Sequence, residues 1–273
     1  MAVENFALRS DDEIRLLLVH HPLRVGNLHA RHGGREGSHD DERLTKLGQW
    51  EAMNLGFAIG QCVTLLTHQQ RANELPGAWL FDLAAATQGR TQEAAIWARR
   101  AAHEVVRSMG VRGLSHTTVV PNWRGINLGG RMAGLTEPEI AERYPHFAYE
   151  WLLWRQGVRE LPPDLPEPDS EAPQVFANRV LSGLRFIIQH RKSRLIAAIA
   201  SRSVLQISRS ILQGNNPLER TMFIDPPYGW VEEWAIYSDR PPVSLTGEFV
   251  SPVELSATYA ARYGWPHRQV PQE

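Results

Sequence analysis

Ile14-Arg15-Leu16-Leu17-Leu18-Val19-His20-His21-Pro22 is the stretch whose reading decides the fold. Five of its first six residues are apolar, the run expected of a parallel strand covered on both faces. Pro22 lacks the N–H that a central ladder needs, so the strand ends there and both imidazoles sit at its carboxyl end. In open α/β sheets that end is where ligands bind. A loop that merely carries two histidines is the bland alternative; their position at a strand end favours a functional one.

Outward from this strand the chain alternates. Leu23 to Arg43 is glycine-rich and charged, long enough to be a functional loop or disordered. A helix opens at 44–48 with Thr45 as its N-cap. Leu47, Trp50, Met53, Leu55, Phe57 and Ala58 keep it amphipathic towards Thr67. A second strand is expected at 78–83, then a helix carrying Arg90 and reaching about Met109, then a short strand from Thr117 to Val120. From Pro121 the alternation breaks. Gly125, Gly129, Gly130 and Gly134 precede a short helix from Glu137 to Tyr144, an aromatic stretch from Phe147 to Trp154, and a proline-rich linker at 161–168. This block, about 121–173, is expected to be an insertion capping the carboxyl edge of the sheet within a single domain spanning 1–273. A helix at 176–189, a buried strand at 195–200 and a helix at 204–212 follow, with Ser201-Arg202-Ser203 at the strand's end. The alternation of residues 230–237 suits an edge strand. Together these elements predict a three-layer α/β/α sandwich with a mainly parallel sheet.

Composition narrows the partners. The 273 residues are 42% apolar and carry a formal charge of -1, with no basic excess to neutralise nucleic-acid phosphates. A single cysteine, Cys62, excludes an internal disulfide and suits a reducing compartment. It falls in an apolar helical pattern and reads as a small core residue. The polar, acidic N-terminus has no signal-peptide core, and no run of about 18 apolar residues occurs. A cytoplasmic protein is expected, with no nucleic-acid or membrane partner and a homo-oligomer left open.

The order of motifs resembles the histidine phosphatase superfamily, also called phosphoglycerate-mutase-like. Where that family has Arg-His-Gly, this chain has His20-His21-Pro22. Where it has a Gly-Arg-rich loop and Asp-x-Pro-Leu-Thr-x-x-Gly, the chain has Gly34-Arg35 and then Asp41-Glu42-Arg43-Leu44-Thr45-Lys46-Leu47-Gly48. Ser-Ser-Pro-Leu-x-Arg-x-x-x-Thr-Ala is matched by residues 85–95, with Arg90 in the arginine's place. Gly130-Arg131-Met132-Ala133-Gly134-Leu135-Thr136 matches Gly-x-x-x-Gly-Leu-Thr, and Ala200-Ser201-Arg202-Ser203 stands for Val-Ser-His-Gly. The resemblance covers about residues 14–237. It implies that His21 takes the nucleophile position, attacking a phosphoryl group held by Arg90 and the remaining clamp residues.

The departures shape the functional expectation. His20 replaces an arginine, Arg202 replaces the second histidine, and the carboxylic acid that protonates the leaving group is expected at or near Ile126, which has no proton to give. The clamp keeps two histidines and two arginines with the types exchanged, and guanidinium forks still suit a phosphate or carboxylate. His20 becomes a candidate proton donor, since imidazole titrates near neutrality. Pro22 keeps a carbonyl to accept from Nδ1–H of His21 and leave Nε2 free. The favoured function is a repurposed enzyme acting on a small anionic metabolite, with His21 and His20 catalytic and Arg90, Arg202 and Trp123 binding the substrate. The alternatives are a weak phosphomonoesterase or mutase working through phospho-His21, and a binding protein without turnover. No cofactor is expected. His29, His32 and His39 with Asp40 or Asp41 raise a metal alternative, but the glycines around them favour solvated loop histidines and no metal site. Trp50 and Trp97 sit at core spacing, while Trp123, Trp151 and Trp154 fall in the insertion, where an aromatic wall over a ligand competes with packing.

Overall fold

The computed structural model describes residues 13–28, 43–70, 79–127, 129, 131–132, 135–156, 158, 162–218 and 226–263. The three loop histidines and the acidic residues beside them lie outside the described residues.

Six strands make one mixed sheet in the order β3-β2-β4-β1-β5-β6. They are β1 (Ile14–His20), β2 (Trp79–Ala86), β3 (Leu114–Val120), β4 (Leu195–Ala200), β5 (Val231–Ile236) and β6 (Val243–Ser244). The pairs β1–β4, β2–β4 and β2–β3 are parallel. The pairs β1–β5 and β5–β6 are antiparallel. The apolar run that predicted β1 is explained by its pleat. Leu17 and Val19 face one core, while Ile14, Leu16 and Leu18 face the other, and successive strand residues alternate sides.

Helices cover both faces. A short α1 (Val25–Leu28) follows β1. The first core is closed by α2 (Lys46–Gln70), α3 (Gly89–Ser108) and α8 (Pro252–Tyr263). Thr45 caps α2, its hydroxyl accepting the Gly48 N–H at 2.9 Å. The second core is closed by α6 (Pro173–Gln189) and α7 (Arg202–Leu212). Between β3 and α6 lie α4 (Glu137–Arg143) and α5 (Pro145–Gln156). Met132, Ile140 and Phe147 form a small core of their own there, with Trp151 packed against it.

Two sequence expectations change. β5 is not an edge strand: it lies between β1 and β6 with all six residues buried. Its consecutive glutamates point to opposite faces, each towards an arginine distant in sequence. Glu232 meets Arg209 at 3.0 Å and Glu233 meets Arg15 at 3.0 Å. Trp50 is not core either, with 58% of its surface exposed. The buried side of α2 is drawn by Ala52, Leu55, Ile59 and Cys62, and apolar residues surround the helix too evenly for periodicity to choose a face.

Trp123 is fully buried in the second core, its indole N–H donating to the Val180 carbonyl at 3.2 Å. This closeness is permitted by Gly183 of α6, where an added Cβ would stand 2.3 Å from the indole Cδ1. Helix propensity alone favours alanine at that position by about 1 kcal/mol. Overpacking a fixed indole costs about 1–3 kcal/mol and wins. Gly183→Ala is therefore expected to lower the urea midpoint, and an unchanged or raised midpoint would show that the indole has room to move.

Candidate active site

Three neighbouring parallel strands, in the order β2-β4-β1, deliver the site at their carboxyl ends. His20 ends β1 and His21 follows it. The main chain fixes both: His20 N–H donates to the Trp230 carbonyl at 2.9 Å and His21 N–H to the Ala200 carbonyl at 3.0 Å. Arg202 opens α7 directly after β4, and Arg90 is the second residue of α3 after β2. Both helices thus begin here, and neither Gln88 nor Ser201 uses its side chain to cap the helix it precedes. Helix N-termini favour an anion.

The histidine tautomers follow from their partners. Nδ1–H of His21 donates to the Pro22 carbonyl at 2.9 Å, so the proline keeps the orienting acceptor. Nδ1–H of His20 donates to the Pro226 carbonyl at 2.7 Å, with the Pro227 carbonyl 3.2 Å away. Each Nε2 is then a lone-pair acceptor, and among the described residues no hydrogen bond reaches either one. The rings stand edge to face with centroids 4.8 Å apart, and Tyr228 stacks on His20 at 4.8 Å and tilts over His21 at 5.5 Å.

Burial and neighbouring charge both disfavour the protonated form of the two rings. Burial brings the pKa of His20 down to about 4, helped by the charges of Arg202 and Arg90. Burial also holds His21 well below the usual histidine range, followed by Arg90, His20 and Arg24. Burial and these charges therefore work against the protonated ring that the expected donor role of His20 calls for near neutrality. A neutral His21 with a free Nε2 is the state a nucleophile needs.

The structure brings His20, His21, Arg90 and Arg202 to one place. It does not bring Trp123, which is core. Three contributors escaped the sequence reading. Arg24 is buried, and its charge bears on His21. It is held by a bridge to Leu44, while Leu23 beside it donates its N–H to Glu51 at 2.9 Å. Its position three residues beyond His21 was the available signal. Pro226 and Tyr228 could be found only from the pairing of β5, which runs antiparallel to β1 and so starts beside His20.

The loop expected to carry the acid also reaches the site. A Cβ placed on Gly125 would stand 3.5 Å from both Gln88 Nε2 and Ser201 Oγ. Ile126, next in the chain, packs against the second core. Arg179 of α6 donates to the carbonyls of Asn122 at 2.7 Å, Arg124 at 2.9 Å and Gly125 at 3.3 Å, and pairs with Glu171 at 2.6 Å.

Solved structures share this fold at low identity. A phosphoglycerate mutase from Bacillus anthracis str. Sterne matches with a TM-score of 0.56 and 13% identity, over 92% of this chain and 98% of its own. A mutant phosphoserine phosphatase from Entamoeba histolytica, in complex with phosphoserine, matches at 0.55 and 14%, covering 87% and 97%. A mycobacterial glucosyl-3-phosphoglycerate phosphatase in complex with VO3 matches at 0.55 and 14%, covering 85% and 97%. Among curated protein sequences no match was found. The sequence model of the histidine phosphatase superfamily (branch 1) matches residues 88–232, more than half of the 273. That span takes in Arg90, Arg202 and the strand beside His20, and on it the chain belongs to this superfamily.

Proposed function

We propose that the protein is a repurposed member of its superfamily, an enzyme that binds a small phosphorylated metabolite and attacks it through Nε2 of His21. The observation that carries this reading is the meeting of Arg24, Arg90 and Arg202 with two histidines whose Nδ1 protons are given to backbone carbonyls. Arg90 bears on both rings, Arg202 on His20 and Arg24 on His21. Guanidinium groups converging beside two helix N-termini suit a phosphoryl-sized anion. Solved structures of the same fold hold phosphoserine and VO3, which supports a phosphoryl-sized anion. The single cysteine suits a reducing compartment, and we place the protein in the cytoplasm. A second reading, binding without turnover, is favoured by one observation, the isoleucine at position 126.

Vanadate titration by calorimetry tests the anion site. The wild type is expected to bind, and Arg90→Ala to weaken binding about tenfold or more, because a charge-assisted bidentate contact contributes roughly 1.5–3 kcal/mol. Arg24→Ala is expected to weaken it as well. Equal affinities in all three, or no binding by any, would remove the phosphoryl site.

A further inference from the structure

We infer that this site favours phosphoryl donors whose leaving group departs without taking a proton, such as acyl phosphates, phosphoanhydrides and phosphates of acidic phenols. The inference rests on the phosphoryl reading above and deepens it to a substrate class.

Three placements carry it. Ile126 occupies the expected position of the acid and turns to the second core, so that position offers hydrocarbon. His20 has its ring proton on Nδ1, engaged with the Pro226 carbonyl, and presents Nε2 as an acceptor. Among the described residues, Gln88 and Ser201 are the polar groups against Gly125. An amide and a hydroxyl can hydrogen-bond a departing anion but are far too weakly acidic to protonate it. A leaving alkoxide needs a proton in the transition state, whereas a leaving carboxylate, phosphate or nitrophenolate does not.

The balance is complete without an acid. The Nε2 lone pair of His21 forms the N–P bond while the P–O bond breaks, and that electron pair leaves on the oxygen as an anion. Water then attacks phosphorus and the N–P bond returns its electrons to Nε2. Both protons of the water leave with the product as dihydrogen phosphate, which loses one to solvent. His20 Nε2, as an acceptor, suits a donor on the incoming group or the attacking water.

The test is a leaving-group series on the intact protein: 2,4-dinitrophenyl, 4-nitrophenyl and phenyl phosphate, with acetyl phosphate and 3-phosphoglycerate. Turnover of acetyl and 2,4-dinitrophenyl phosphate is expected. Phenyl phosphate and 3-phosphoglycerate should be slower by about 10²–10⁴, the usual contribution of a general acid. Ile126→Glu should raise the ratio of phenyl to dinitrophenyl turnover. His21→Asn should abolish acid-labile labelling of the protein by ³²P-acetyl phosphate. A wild-type rate that hardly changes along the series would overturn the inference by revealing a proton donor. So would failure to turn over even the most activated donors. In that case vanadate affinity, measured separately, decides whether the phosphoryl site itself stands.

Discussion

Arg209→Met is expected to destabilise the protein by about 3–5 kcal/mol, because it strands the Glu232 carboxylate in the core. Glu232 has no exposed surface, and Arg209 is its ionic partner at 3.0 Å from α7. Burial already pushes the Glu232 carboxyl above the ordinary range, against the pull of Arg209. Without the guanidinium it must take up a proton or stay charged in an apolar site, and both routes cost stability. The double variant Arg209→Met with Glu232→Gln is expected to recover most of the loss. The amide removes the buried charge and can still accept from the Ser244 hydroxyl, which donates to Glu232 at 2.9 Å. Urea unfolding of the wild type, both single variants and the double variant closes the cycle. Additive losses would mean that the pair does not act as a unit.

Acid is expected to weaken the fold between about pH 6.5 and pH 4, through the same histidines that form the site. An unfolded His20 takes its proton near 6.5, whereas the folded one resists it down to about 4. Within that window the unfolded chain binds a proton that the native chain refuses. The contribution is intact above pH 6.5, falls as pH drops, and is fully lost below about 4. At about 1.4 kcal/mol per pKa unit, His20 alone accounts for about 3 kcal/mol. His21 acts in the same direction. His20→Asn keeps a donor for the Pro226 carbonyl and does not titrate. Its stability difference between pH 7.5 and pH 4 should be smaller than the wild type's by about 2–3 kcal/mol. Chemical denaturation at the two pH values is the measurement, and superimposable profiles would show that His20 titrates normally in the fold.

Sequence legibility followed the physics of each element. β1 and β4 were readable because a strand buried on both faces has no polar residue with which to disguise itself. β5 was misread for the opposite reason. Its glutamates look solvent-facing, and the arginines that let them be buried lie 218 and 23 residues away in the chain. At the site, residues adjacent to strand ends could be placed from sequence, which covers His20, His21, Arg90 and Arg202. Arg24 was missed although the strand end pointed to it, since an arginine in a charged loop resembles any other. Tyr228 depended on a pairing between two strands that no local pattern announces. The protonation of His20 is not legible in sequence for a related reason: residue type sets the starting pKa, while burial and neighbouring charge move it.

The grip of Arg179 on the loop before Ile126 bears on how such a site changes over time. Its contacts to Asn122, Arg124 and Gly125 are all to main-chain carbonyls. The course of that loop is therefore indifferent to most of the side chains it bears. A side chain there can be exchanged without the loop collapsing, whatever chemistry it supplies. A scaffold held this way lets mutation explore new reactions one position at a time while the architecture stays constant. Its chemistry can drift faster than its shape.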